Sequence, residues 1–184
     1  MENQRIRLSK TMLKNGLMKL LREKPLNKIT IYELCDVAQI NRTTFYKYYG
    51  SQNDLLADIE QDFLAELETG LKSVAAHKGD GLTSVLEQLY SQREVFQILV
   101  ETLPPRQLAT DMFRLPVVSE IFRNLMEARG LSEAEGKYIR QFVFQGTFAV
   151  LTDWLCSETP EPVSEIAAVL TFMKGKLYQE GINT

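Results

Sequence analysis

The chain is 184 residues long, 45% hydrophobic and 24% charged, a composition that suits one or two small helical units with a sizeable buried core. Up to Gly50 ten Lys and Arg stand against four acids, a net +6. The total of −3 therefore leaves −9 for the remainder, a basic head on an acidic body, and that head suits a polyanion met at one end only. With no leader-like start, no apolar run long enough to span a bilayer and a single histidine to serve a triad or zinc motif, the expectation is a cytoplasmic, non-membrane, non-enzymatic protein with no cofactor and no metal.

Arg5 to Lys24 reads as a first helix, with Leu13, Leu17, Leu20 and Leu21 on one side together with Gly16, which marks a close helix contact. Pro25 ends it, and Leu26 and Ile29 are placed to plug the base of the next two helices. Arg5, Arg7 and Lys10 lie at its free end, either in reach of phosphates or a minor groove or as a disordered basic tip.

Residues 30–49, TIYELCDVAQINRTTFYKYY, make the most specific structural demand. Thr30 with Glu33 three residues on forms a capping-box pattern opening a short helix to about Ala38, whose small side chain allows a second helix to approach closely. Asn41 is a second N-cap, and Phe45 and Tyr49 of the next helix point back at i, i+4, which is helix-turn-helix geometry. Facing outward are Arg42, Thr43, Thr44, Tyr46, Lys47 and Tyr48, a set without a carboxylate. Hydroxyls and cations donate to phosphate oxygens, Arg forks onto guanine, and Thr offers a methyl to thymine. A merely solvated face normally mixes both charge signs and does not collect aromatics.

Arg5 to about Phe63 resembles the tetracycline-repressor-like (TetR/AcrR) transcriptional regulators. The family pattern has a Thr opening the second helix, an Ala eight residues before a Tyr, a polar cap, Thr-Leu-Tyr-x-His-Phe, and Ser-Lys-x-x-Leu. Here these read Thr30, Ala38, Asn41, Thr44-Phe45-Tyr46-Lys47-Tyr48-Tyr49 and Ser51-Gln52-Asn53-Asp54-Leu55. Gln39 departs from the usual turn Gly, Thr43 from a second common Gly, Tyr48 from His, and Gln52 from a frequent phosphate-contacting Lys. The resemblance implies an all-α fold of about nine helices. Residues 1–50 would be a three-helix DNA-binding domain with its motif at about 29–48, and residues 51–184 a helical ligand-binding and dimerisation domain. It implies DNA contacts from Thr30, Arg42, Thr43, Thr44, Tyr46, Lys47 and Tyr48.

Ser51 with Asp54 starts a fourth helix, in which Leu55, Leu56, Ile59, Phe63, Leu67 and Leu71 keep helical period. Asp58 and Asp62 on it read as solvated surface. The stretch His77-Lys78-Gly79-Asp80-Gly81 breaks the helix, and His77 falls at that frayed end. Further helices come after the break, with a bend near Ser91 to Glu94 and a longer segment from Arg106 to Arg129 that Pro116 must kink or split. Gly130 reads as a C-cap, and Ser132 with Glu135 as another capping box. The last two helices, reaching Cys156 and then from Val163 to about Gln179, are apolar on more than one face, and Trp154 is expected near the surface they bury. Cys35 and Cys156 sit in apolar helical patterns as reduced core residues.

These features lead to a sequence-specific DNA-binding regulator, and the resemblance implies a dimeric repressor released by a small-molecule effector. The homodimer would form through the last two helices and read a pseudo-palindromic double-stranded operator. Phe96, Met112, Phe113, Phe122, Met126, Phe144 and Phe148 are candidate pocket walls, with ordinary core packing as the other reading. A rival reading keeps the fold but places control in a partner protein instead of a small ligand.

Overall fold

Proline, glycine and capping residues punctuate the apolar periodicity, and the computed structural model, which describes residues 4–76 and 81–179, follows that punctuation. The described residues form ten α-helices and one 3-10 turn, without strands. In chain order these are α1 Gln4–Leu21, the 3-10 turn Leu26–Lys28, α2 Ile31–Val37, α3 Arg42–Tyr48, α4 Gln52–Ala76 and α5 Gly81–Ser91. The remaining five are α6 Arg93–Thr102, α7 Gln107–Phe113, α8 Pro116–Arg129, α9 Glu133–Cys156 and α10 Val163–Gln179. His77 lies outside the described residues. The chain divides into two compact units, Met1–Phe63 and Leu64–Thr184, with the division inside α4.

In the first unit α1 packs on α2 and α3, and α2 on α3. Leu13, Leu17, Leu20, Ile29, Leu34, Phe45, Leu55, Leu56, Ile59 and Phe63 form its core. The first helix stops at Leu21, three residues short of the expected Lys24, because the residue before a proline is driven out of helical conformation. Thr30 caps α2 by accepting from the Glu33 N–H at 3.2 Å. The return arm of the expected box is diverted, since Glu33 Oε1 takes Lys24 Nζ at 2.5 Å. Asn41 caps α3 by accepting from the Thr43 N–H at 2.8 Å. Between the two helices Gln39 turns the chain at φ +54°, a conformation that glycine adopts without penalty.

Asp62 is exposed as expected, at 61%, but Asp58 is only 25% exposed and both carboxylates are paired. Lys14 of α1 reaches both, at 3.1 Å and 2.5 Å, and the Tyr49 hydroxyl donates to Asp58 Oδ2 at 2.5 Å. The i, i+4 spacing that suggests a surface stripe turns these carboxylates toward another helix's cation, a contact between residues far apart in sequence.

In the second unit the buried stripes are Val85, Leu86 and Leu89 on α5, Phe96, Ile98 and Leu99 on α6, Leu108, Ala109 and Met112 on α7, and Leu151, Trp154 and Leu155 on α9. Helix α9 packs against α6 and α7, and α5 against α6 and α10. Pro116 splits the expected long segment: it occupies the first turn of α8, where its missing N–H costs nothing. That split makes the tenth α-helix. Gly130 closes α8 at φ +60°, and Ser132 and Glu135 exchange both bonds of the expected capping box. Arg93 and Gln97 donate to the carbonyls of Ser157 and Leu155, which satisfies the C-terminal end of α9.

Candidate nucleic-acid interface

Helix α3 is only two turns long and carries one fully buried side chain, Phe45, whose ring meets Tyr46 edge-on at 5.4 Å and Tyr49 at 5.8 Å. An isolated helix of seven residues is not stable in water, so burial of Phe45 and Tyr49 is what holds it. With those two turned inward, Arg42, Thr43, Tyr46 and Lys47 are left exposed on one face.

These four line an open concavity of about 990 Å³ together with Tyr32, Cys35, Asp36, Gln39, Ile40 and Asn41. Thr30, Thr44 and Tyr48 lie off that concavity. Thr30 is the exposed α2 cap, while Thr44 and Tyr48 are half-buried at i, i+4 on the adjoining flank. Lys47 Nζ sits 5.8 Å from the centre of the Tyr48 ring, so the cation is held over that flank.

Tyr32, 70% exposed in the first turn of α2, and Gln39 in the turn also rim the concavity and were not among the expected DNA contacts. An exposed aromatic on the helix before the recognition helix was the available signal for Tyr32. Nothing in the local sequence marked Gln39 except its place in the turn. Gln52, at the usual Lys position, donates to the Ile29 carbonyl at 3.3 Å and so braces the head internally. Cys35 lies beneath the same surface, and burial pushes its thiol up against the opposing pull of Arg42.

The candidate pocket residues of the second unit fall into two groups. Phe96 and Phe148 meet at 6.0 Å; Phe113 stacks on Phe144 at 4.2 Å, with Phe122 edge-on to Phe144 at 5.6 Å and Arg140 4.8 Å over the Phe122 ring. The Met126 methyl occupies the position that a Cβ on Gly136 would take, and Met112 is buried in α7. Thr152 Oγ1, one turn beyond Phe148, is buried and has no hydrogen-bond partner among the described residues.

Trp154, expected near the surface that the last two helices bury, is itself buried within the chain. It stacks on Tyr90 at 5.6 Å, and its Nε1–H donates to the Glu161 carbonyl at 2.9 Å. The outward apolar residues of the last two helices are Tyr138 and Phe142 on α9, both 65% exposed, and Val169, Phe172 and Met173 on α10. Gly146, Ala149 and Ala168 are exposed on the same helices. Cys156, expected in the core, is instead an exposed free thiol, because it is the last residue of α9 and lies past the buried Trp154 and Leu155; partial desolvation of its sulfur and the Glu101 carboxylate push its pKa up. The described residues hold no cluster of His, Cys, Asp or Glu able to bind a metal, and no helix long and apolar enough to cross a membrane.

No curated protein matches the sequence. Among solved structures, a TetR transcriptional regulator from Streptococcus agalactiae is 20% identical with a TM-score of 0.67, over 92% of this chain and 95% of that one. The FadR repressor of Thermus thermophilus, a TetR-family protein solved with lauroyl-CoA, is 19% identical with a TM-score of 0.58 over 95% of each chain. FadR from Bacillus halodurans, a fatty acid degradation regulator, is 14% identical with a TM-score of 0.65 over 92% of this chain and 97% of that one. The family profile described as a transcriptional regulator C-terminal region matches residues 78–174, just over half of the sequence. With that match on the second unit and a helix-turn-helix in the first, the chain belongs to the TetR family of transcriptional regulators.

Proposed function

We propose that the protein is a sequence-specific repressor that binds double-stranded DNA as a two-fold homodimer and leaves it when a small-molecule effector enters the second unit. The observation that carries the DNA reading is the exposed set Arg42, Thr43, Tyr46 and Lys47, aligned along one open concavity in a head of net charge +6. Arg42 and Thr43 sit at the N-terminal end of α3, the part of a recognition helix that enters the major groove first. Support for the dimer comes from Tyr138, Phe142, Val169, Phe172 and Met173, large apolar groups exposed on the last two helices of one chain. In this reading residues 1–50 bind DNA and 51–184 regulate and dimerise, with α4 as the helix that runs from one into the other.

An effector with an apolar body suits the Phe- and Met-rich groups around Phe144 and Phe148, and the FadR of Thermus thermophilus carries an acyl-CoA on a similar fold. The unpartnered Thr152 hydroxyl would serve such a ligand as a polar anchor. The second reading, control by a partner protein, is favoured by a different observation: Phe113 and Phe122 both pack on the Phe144 ring, so these side chains are engaged with one another as ordinary core. Enrichment of random duplex DNA by the pure full-length protein tests the main proposal. The expected product is a pseudo-palindrome whose half-sites lie about one helical turn, or a multiple of it, apart. A pool without enrichment would overturn it.

A further inference from the structure

The carboxylate of Asp58 joins three helices within the first unit. The Tyr49 hydroxyl, at the end of α3, donates to Oδ2 at 2.5 Å, and Lys14 of α1 lies 3.1 Å from the same oxygen while also donating to the Asp58 backbone carbonyl at 3.2 Å. Lys14 is held from its other side by Asp62 at 2.5 Å. Lys10, one turn earlier on α1, adds a further cation facing Asp58. Desolvation alone would raise the Asp58 pKa, yet the Tyr49 hydroxyl and the two lysines hold it below its ordinary value, so the group is a carboxylate wherever DNA binding is measured.

Resting on the DNA-binding reading above, we propose that Asp58 and Tyr49 are positioning residues for base recognition: their hydrogen bond sets where the C-terminal end of the recognition helix sits along α4. Helix α3 has two anchors, the buried Phe45 ring in its middle and Tyr49 immediately after its last residue, in extended conformation. A ring buried in apolar packing is held by non-directional contacts that resist its withdrawal. A short hydrogen bond to a charged acceptor is directional, and it is the bond that fixes the position of the Tyr49 end. The hydroxyl is the atom by which Tyr49 differs from Phe, so the anchor can be removed with the ring packing intact.

The consequence divides the DNA contacts by their tolerance. Lys47 is a flexible point charge and follows a phosphate through a small displacement of α3. Arg42 and Thr43 reach base edges only from one helix position, because base contacts depend on fixed donor and acceptor geometry. Loosening the Tyr49 end therefore lowers discrimination and spares general DNA affinity.

The experiment compares the full-length wild type with Tyr49→Phe, Asp58→Asn, Asp58→Ala and Tyr49→Phe/Asp58→Ala on the selected operator and on random duplex. It is done at a temperature where circular dichroism shows all five folded. Tyr49→Phe is expected to weaken operator binding about tenfold with random-DNA affinity and salt slope unchanged. Asp58→Asn keeps an acceptor for the hydroxyl and should fall between wild type and Asp58→Ala, and the double variant should be no worse than Asp58→Ala. Operator affinity within about twofold of wild type for Tyr49→Phe, or equal losses on both DNAs, overturns the proposal alone. A wild type that selects no operator overturns this proposal together with the DNA reading.

Discussion

Gly16 of α1 lies against Ala38, the C-cap of α2: a Cβ on Gly16 would stand 3.0 Å from the Ala38 Cβ and 3.3 Å from its Cα and N. Neither neighbour is the movable end of a long side chain, so the two helices would have to separate. Gly16→Ala gains helix propensity of up to about 1 kcal/mol, but overpacking against fixed backbone costs about 1 to 3 kcal/mol. The expected result is a net loss of about 1 kcal/mol in urea denaturation. A stabilised variant would show that α1 and α2 can move apart freely.

Gln39 gives the opposite sign. At φ +54° its side chain is held in the left-handed region at a cost of roughly 1 to 2 kcal/mol, while the bond from its Nε2 to the Asp36 carbonyl is exposed. Gly adopts this backbone freely but lowers stability through the unfolded chain by about 0.4 to 1 kcal/mol. Gln39→Gly should therefore raise stability by at most about 1 kcal/mol, read as a higher urea midpoint at constant m-value. A drop in midpoint would mean that the Gln39 side chain contributes more than its exposed bond indicates.

The recognition helix separates into two kinds of contact. Lys47→Ala should weaken operator and random DNA alike and reduce the salt slope by about one for each phosphate the lysine neutralises, or about two in a symmetric dimer. Arg42→Ala or Thr43→Ala should cost roughly 1 to 3 kcal/mol per half-site on the operator and little on random DNA. Salt titrations of each variant on both DNAs decide it, and a selective operator defect for Lys47→Ala would reverse the roles.

Phe142 and Phe172 are 65% and 63% exposed, so a charge at either place leaves the core of one chain undisturbed. Buried in a dimer, the same charge would lack a partner. Phe142→Glu with Phe172→Glu is expected to give a monomer by light scattering at micromolar concentration, with unchanged helicity and abolished operator binding. A wild type that is itself monomeric would remove the dimer from the proposal.

The depressed Asp58 pKa makes the head sensitive to acid. A carboxylate whose folded value lies below its ordinary 3.8 adds stability that is fully present above that value and is lost as pH falls through the folded one. Asp58→Asn should therefore lower the urea midpoint at neutral pH, and the gap from wild type should narrow below about pH 4. A gap independent of pH would assign the effect to packing and not to charge.

Local chemistry made the head legible in advance. Thr30 and Asn41 are caps, Phe45 and Tyr49 point inward at i, i+4, and Gly16 and Ala38 are small where two helices meet; each follows from residue type and short spacing. The ten Lys and Arg against four acids likewise required no coordinates. Long-range geometry decided the rest. Asp58 and Asp62 have the spacing of a solvated stripe, and only the placement of α1 brings Lys14 between them. Glu33 is at the right distance in sequence to complete a box with Thr30, but Lys24, nine residues earlier, competes for its carboxylate. Trp154 belongs to an apolar run that looks two-sided in sequence, and the fold buries it beneath Tyr90 while leaving Tyr138 and Phe142 outside. Periodicity reports that a helix has an apolar face; which neighbour covers that face depends on residues far along the chain, and that is settled only when the helices pack.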